Sequence, residues 1–412
     1  MHTLVARSLG AVCACLLSAS AFASDWPAYR GPHGDGIVTE AGLLLEWPKD
    51  GLKKVWSAPL GDGGGGVHAG AAVAGGKVIV PGKTGEKDVI YCFDSQQGNE
   101  LWKFEYAATG QANWGTGPRA TPSIAAGLVY TLSRYGQLFC LDAEKGTKIW
   151  ERNLMQDFKG TAPGYGISAA PLVAEGRLIC QPGGPEASLV ALELKTGKVL
   201  WKSGSEKSAY AAPQLVTLAG VKQILAYPES GLVALDPASG KELWRYDHRT
   251  NASKNIPAPL VLNDRVVITS LLGFVSLKIA KAGETWKATK EWGQPRETMH
   301  FSSPVLGAGV AYFFHNSKPG QLKCMDLKDG SIKWSLPNMG NQQAQLLRLD
   351  PKHLLVQSDG GQVVLVEDLG GQGKEKARFQ AVGATAFAMP AVADGRLFVR
   401  DYKTLVCYEL KK

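Results

Sequence analysis

One spacing recurs along this chain: an acid, a glycine four residues on, and a tryptophan four after that. It occurs as Asp94, Gly98, Trp102; Asp142, Gly146, Trp150; Glu193, Gly197, Trp201; Asp236, Gly240, Trp244; and Asp326, Gly330, Trp334. The frame has a mechanical reading. An acid that ends one strand caps a tight turn through its carboxylate, and the glycine supplies the positive φ with which the chain re-enters the next strand. The tryptophan then falls just inside that second strand, where a large side chain bridges neighbouring sheets. Each burial removes on the order of 150–250 Å² from water. At about 25 cal/mol per Å² that is at most roughly 4–6 kcal/mol per copy.

Weaker copies extend the series. Trp56 follows Asp50-Gly51, Trp292 ends a degenerate segment around Ala282-Gly283-Glu284, and Phe379 takes the tryptophan's place after Lys374-Glu375-Lys376. The eight anchors, Trp56, Trp102, Trp150, Trp201, Trp244, Trp292, Trp334 and Phe379, stand 42 to 51 residues apart. That is the period of a propeller blade of four short strands. Segments such as Thr121–Tyr130, Ala170–Ile179 and Met389–Phe398 precede most anchors and read as strand, two-residue turn, strand. The 49 glycines among 412 residues suit many tight turns. Trp56 has an outer strand and no three strands before it, while residues 386–410 supply three strands and no outer one. The predicted fold is therefore all-β: an eight-bladed β-propeller of four-stranded blades, closed by pairing the strand around Trp56 with the C-terminal three. Closure removes two sheet edges.

Strand, turn, strand followed by this acid–glycine–tryptophan frame resembles the repeat of the pyrroloquinoline-quinone (PQQ) propeller superfamily. The resemblance covers residues 53–410, and the opening Asp25-Trp26-Pro27-Ala28-Tyr29-Arg30-Gly31 looks like the lead-in of bacterial exported PQQ-like repeat proteins. The superfamily includes quinoprotein alcohol dehydrogenases and the propeller lipoprotein of the outer-membrane barrel-assembly machinery, so the repeat points to a fold more than to an activity. The dehydrogenases resemble one another in a disulfide between adjacent cysteines, and in a Glu and an Asn on calcium with an Asp as general base. This sequence has no adjacent cysteines and no haem-attachment Cys-x-x-Cys-His, and that acid–Asn set maps onto no residues here.

The N-terminus carries Arg7, an apolar run from Leu9 to Leu17 and Ala21-Phe22-Ala23. This reads as a secretory signal peptide over 1–23, cleaved after Ala23, and too short for a permanent span. Residues 24–52 then form a lead-in, and 53–412 a single propeller domain, periplasmic or secreted and monomeric. Ser24, not a lipidated cysteine, opens the mature chain. Five cysteines remain, Cys92, Cys140, Cys180, Cys324 and Cys407; four share one repeat position, which reads as buried thiols acting as small hydrophobes. The formal charge of +8 is spread over turns, without the one-faced stripe that phosphate tracking requires, so nucleic acid is not an expected partner.

Chemistry is expected in the long connections before inner strands, which gather around a propeller's axis. They carry His68, Trp114, Arg119, Tyr165, Tyr210, Asn255 and His300, with Lys254 and Arg296 nearby. Trp114 and Arg119 pair an aromatic with a guanidinium, suited to stacking on and neutralising a planar anion. Gly61–Gly66 fits G-x-G-x-x-G but precedes a hairpin pattern instead of a helix, and so reads as an inter-blade loop. The seven histidines show no metal-ligand spacing, and no metal site is assigned. The expected role is that of a binding or scaffold module for a small molecule or protein partner at the funnel. The alternative is a PQQ-dependent alcohol dehydrogenase, with PQQ and calcium facing Arg119, Asn255 and His300.

Overall fold

A computed structural model describes residues 24–63, 68–108, 115–250 and 254–411. The leader expected over 1–23, Gly64–Gly66 of the glycine-rich loop, Trp114 and the triplet Asn251-Ala252-Ser253, a glycosylation sequon by pattern, lie outside the described residues. Eight four-stranded antiparallel sheets succeed one another as blades. Blades 1 to 7 run over residues 72–107, 123–153, 172–203, 214–247, 260–294, 305–336 and 344–380. Blade 8 takes its three inner strands from Ala391–Ala393, Arg396–Arg400 and Thr404–Glu409, and its outer strand from Lys54–Pro59. Trp56 pairs with Cys407 and Pro59 with Thr404. The ring closes as the overhang of the two chain ends requires.

The turn chemistry is as the repeat predicts. Asp94 Oδ1 accepts from the backbone of Gln96 and Gln97 at 2.9 and 2.6 Å, and Asp142 Oδ1 from Glu144 and Lys145 at 2.8 Å each. Gly98 and Gly146 have φ of 75° and 67°. A second reason for glycine emerges from packing. The indole of Trp56 lies on Gly98 of the next blade, Trp102 on Gly146, Trp150 on Gly197, and Trp201 on Gly240, so closely that a Cβ there would stand 2.5–2.9 Å from ring carbons. The indole N–H also reaches the next blade: Trp102 donates to Ala143 O at 3.0 Å and Trp150 to Leu194 O at 2.9 Å. Each of these four anchors thus fastens one blade to its successor.

Within a blade, each of the seven tryptophan anchors faces a small residue across the strand pair. Trp56, Trp102, Trp150 and Trp334 face Cys407, Cys92, Cys140 and Cys324; Trp201 and Trp244 face Ala191 and Ala234; Trp292 faces Ser276. The pairing register shifts immediately beside the anchor, a β-bulge that leaves the preceding residue unpaired. That explains why Val55, Leu101, Ile149 and Leu200 are exposed aliphatics. They are the bulged residues.

Two blades depart from the frame. In blade 7 the bulge falls after Glu375, so the anchor's register position is Ala377, opposite Leu365, and Phe379 stands two residues beyond it, opposite Val363. Phe379 still reaches the next seam, packing on Gly51 of the lead-in and edge-on to Trp47 with centroids 5.8 Å apart. Blade 5 replaces the acid–glycine turn with ten-residue strands, Gly273–Ala282 and Thr285–Gln294. Their extension packs Trp286 and Ala288 among Leu243, Trp244 and Tyr246 of blade 4. Trp244 accordingly turns to its own blade and donates to Gln223 Oε1 at 2.8 Å.

The lead-in runs through the ring's axis. Trp26 forms a two-way backbone bridge with Val73 on the inner strand of blade 1, and Pro27 O accepts from Ile124 N of blade 2 at 2.8 Å. Arg30 is 1 % exposed, and its guanidinium donates to Gly34 O, Asp35 O and Pro304 O at 3.1, 2.7 and 2.6 Å. The chain reverses there and returns along blade 7, where Val38 N donates to Arg348 O at 2.8 Å. Leu44 N then donates to Leu410 O before Lys54–Pro59 joins blade 8.

Candidate functional site: an axial cavity

Antiparallel order fixes which loops share a face. Connections between blades, and turns between second and third strands, gather at one end of the axis; the acid–glycine turns gather at the other. At the first end lies a cavity of about 570 Å³. Its floor includes Tyr29 of the lead-in, whose hydroxyl lies 3.4 Å from Ser303 Oγ.

The interblade connections supply its walls. His68 stacks on Phe387 with centroids 5.2 Å apart and planes 9° from parallel, and Tyr402 stands edge-on to both at 6.2 and 5.9 Å. Across the cavity Tyr165 packs on Tyr210 at 5.5 Å and on Phe301 at 6.4 Å, and His300 on Phe301 at 3.7 Å. Arg119, 9 % exposed, lines the cavity close enough to Tyr402 on one wall and Tyr210 on the other for each to act on its charge. Gln342, Gln343 and Gln345 of blade 7 complete the polar lining. Gln345 Nε2 is held by Phe387 O at 3.1 Å.

Buried arginines brace the mouth by binding backbone carbonyls. Arg134 donates to Gly115 O and, at 3.1 Å, to Tyr165 O; Arg400 donates to Asp401 O at 2.9 Å and to Pro81 O. Desolvation lowers the Arg400 guanidinium to about 9 and that of Arg119 to about 10. Both stay charged at neutral pH. Burial first, and then Arg119, Arg400 and Arg134, push His68 down to about 3; burial and Lys254 push His300 down to about 4. The two imidazoles are therefore neutral, hydrogen-bonding rings. His300 Nε2 is buried without a hydrogen-bond partner.

Four sequence candidates, His68, Arg119, Tyr165 and His300, line this one cavity, as does Tyr210. Asn255 does not. Its side chain is fully buried in its own loop, accepting from Thr250 Oγ1 at 3.0 Å and donating to Pro228 O at 2.6 Å. Its backbone carbonyl accepts from Tyr210 N and Ala211 N, so it shapes the wall from behind. Sequence reasoning missed Tyr29, the three glutamines, Phe301, Phe387 and Tyr402. Gln342 and Gln343 occupy the same type of interblade connection as Tyr210, and that placement was the available signal; Gln345 lies on the inner strand Ala344–Arg348 that follows.

The donor set decides what the cavity can hold. Calcium takes six to eight oxygens, carboxylates prominent among them. No carboxylate lines the cavity among the described residues, and none of them form a cluster of three His, Cys, Asp or Glu able to hold a metal. The lining does not fit a calcium–quinone pair. It does fit a flat organic anion, for which two ring walls and one guanidinium are complementary.

Comparison with known proteins gives three kinds of likeness. A family profile described as outer membrane protein assembly factor BamB matches residues 85–336. The quinohemoprotein alcohol dehydrogenase of Comamonas testosteroni is 26% identical over 239 residues, which are 49% of this chain and 32% of that protein. The 1-butanol dehydrogenase (cytochrome c) of Thauera butanivorans is 29% identical over 198 residues, 44% of this chain and 26% of that protein. The matched stretch thus spans a third or less of these curated relatives. Among solved structures, BamB from Moraxella catarrhalis superposes with a TM-score of 0.60 at 17% identity, covering 87% of this chain and 98% of that one. The Comamonas testosteroni enzyme superposes with a TM-score of 0.66 at 15% identity, covering 93% and 80%. These superpositions establish the fold.

Proposed function

This chain belongs to the PQQ-repeat family described as outer membrane protein assembly factor BamB, and on that premise we propose that it is an exported binding propeller whose axial cavity takes a flat organic anion without a metal. The observation that carries this reading is the lining: a guanidinium, Arg119, between two aromatic walls, with no carboxylate among the described lining residues. Neutral His68 and His300 and the three glutamines add orientation, as a few placed polar groups do in an otherwise apolar pocket. A periplasmic or secreted location accords with a leader over 1–23. The axial course of residues 24–44 supports treating 24–52 as a lead-in to the propeller of 53–412.

The rival reading is a PQQ-dependent dehydrogenase, supported by the curated relatives. Among the described residues the cavity offers no acid–Asn set for calcium, and Asn255 is committed elsewhere. Calorimetric titration with PQQ and with 4-hydroxybenzoate, in calcium and in EDTA, separates the two readings. The expected result is micromolar binding of flat carboxylates unaffected by EDTA and weakened at least tenfold by Arg119→Gln. Binding of PQQ only with calcium, accompanied by dye-linked alcohol oxidation, overturns the proposal.

A further inference from the structure

We infer that the ligand of the axial cavity is amphiphilic, with its anionic head at Arg119 and an apolar extension leaving the mouth across a lip formed by Phe301, Leu271 and Leu272. The inference rests on the anion-binding reading above. Its starting point is where apolar surface is left uncovered. Among the described residues, most exposed large hydrophobics have a local account: Val55, Leu101, Ile149 and Leu200 are bulged residues on outer strands, and Leu369 lies in a turn at the far end of the axis. Phe301, Leu271 and Leu272, 37 %, 41 % and 54 % exposed, are different. All three lie at the cavity end of the axis.

Leu271 and Leu272 form the turn between the second and third strands of blade 5. Met299 N donates to Ser270 O at 3.4 Å, which brings the connection carrying Phe301 alongside that turn. Phe301 also lines the cavity and packs on His300 and Tyr165. Phe301 thus belongs both to the cavity wall and to the connection that runs beside the Leu271–Leu272 turn. Arg119 lines the same cavity as Phe301, so the cavity has a charged part and an apolar part.

Size selects the occupant. A stable protein interface takes about 800 Å² from each partner, far more than three side chains present. An alkyl or aryl extension of a few carbons is of the right dimension. Each methylene drawn from water onto such a surface tightens binding about two- to fourfold.

The test measures Kd by calorimetry for 4-hydroxybenzoate, 4-butoxybenzoate and 4-octyloxybenzoate, below their micellar concentrations. It uses wild type, Leu272→Asp, Leu271→Ser and, on the opposite face, Leu369→Asp. In wild type and Leu369→Asp, affinity is expected to rise about two- to fourfold per methylene over the first methylenes, at one molecule per chain. In Leu272→Asp and Leu271→Ser the ratio of butoxy to hydroxy affinity falls toward one. Thermal unfolding confirms that the variants are folded; should Leu272→Asp not fold, Leu271→Ser carries the test. If 4-hydroxybenzoate binds but affinity ignores chain length, or the lip variants keep the full dependence, the amphiphile is overturned and the cavity reading stands. If no benzoate binds, both fall.

Discussion

The indole of Trp56 rests on Gly98, with ring carbons 2.5–2.7 Å from the place a Cβ would occupy, and its Nε1 donates to Ser95 O at 3.1 Å. That contact joins blade 8, which pairs Lys54–Pro59 with the C-terminal strands, to blade 1. Gly98→Ala forces a left-handed φ of 75° on an alanine, costing about 1–2 kcal/mol, and drives a methyl into the ring, costing about 1–3 kcal/mol more. Gly283→Ala meets only the first cost, since nothing lies within 4 Å of its Cβ position. Urea unfolding should show Gly98→Ala less stable than wild type by about 2–5 kcal/mol and Gly283→Ala by about 1–2 kcal/mol. Equal losses would remove the packing argument for the repeat's glycine.

Arg30 holds the axial segment closed by donating to three backbone carbonyls. Arg30→Met keeps the chain's bulk and removes the donor to Asp35 O and to the buried Pro304 O, while Gly34 O keeps Gln214 Nε2 at 3.1 Å; each acceptor that water does not reach costs about 1–3 kcal/mol. The variant should lose hydrogen-exchange protection first at Val73 and Val38, whose amides bond Trp26 O and Arg348 O. Protection unchanged at both amides would show that Arg30 does not hold the plug.

Two buried groups set opposite pH trends. Burial raises the Asp88 carboxyl to about 7, despite Lys83 Nζ at 3.7 Å. The fold therefore favours its protonated form, and its contribution is present below about pH 4 and lost as pH rises to 7. His68 is pushed down to about 3. Its contribution is present above pH 6.5 and lost as pH falls toward 3. Relative to wild type, Asp88→Asn should gain stability between pH 4 and 7, and His68→Gln should gain it on acidification from 6.5. Parallel Tm curves for wild type and both variants would contradict these assignments.

The five cysteines of the described residues are buried and free, and burial raises Cys92, Cys140, Cys180 and Cys324 to about 12 and Cys407 to about 11. At pH 8 about one in ten thousand of the first four is thiolate. Peptide mapping after brief maleimide exposure should find all five unmodified in the folded protein and all modified in guanidinium. Rapid native labelling of Cys92 or Cys140 would break the pairing of those thiols with Trp102 and Trp150.

What the sequence displays of this fold is its local part. Asp94, Gly98 and Trp102 act on one turn and the adjoining seam, so their spacing is readable wherever a copy stands. Blade 7 is counted through Phe379, but its register escapes because it rests on Ala377, too small to signal a repeat, while Phe379 does the packing from two residues away. The axial plug escapes for another reason: Arg30 meets Pro304, 274 residues distant. The site was half legible. Polar residues of the interblade connections were visible, but whether one faces the axis depends on hydrogen bonds such as those that draw Asn255 into its own loop.

The threading of Trp26 to Val38 through the middle of the ring makes the molecule a cup and not a tube. Whatever enters from the side of Phe301 must leave by the same opening, and no polymer can pass from end to end. Arrival and departure share one doorway, so they cannot proceed at once.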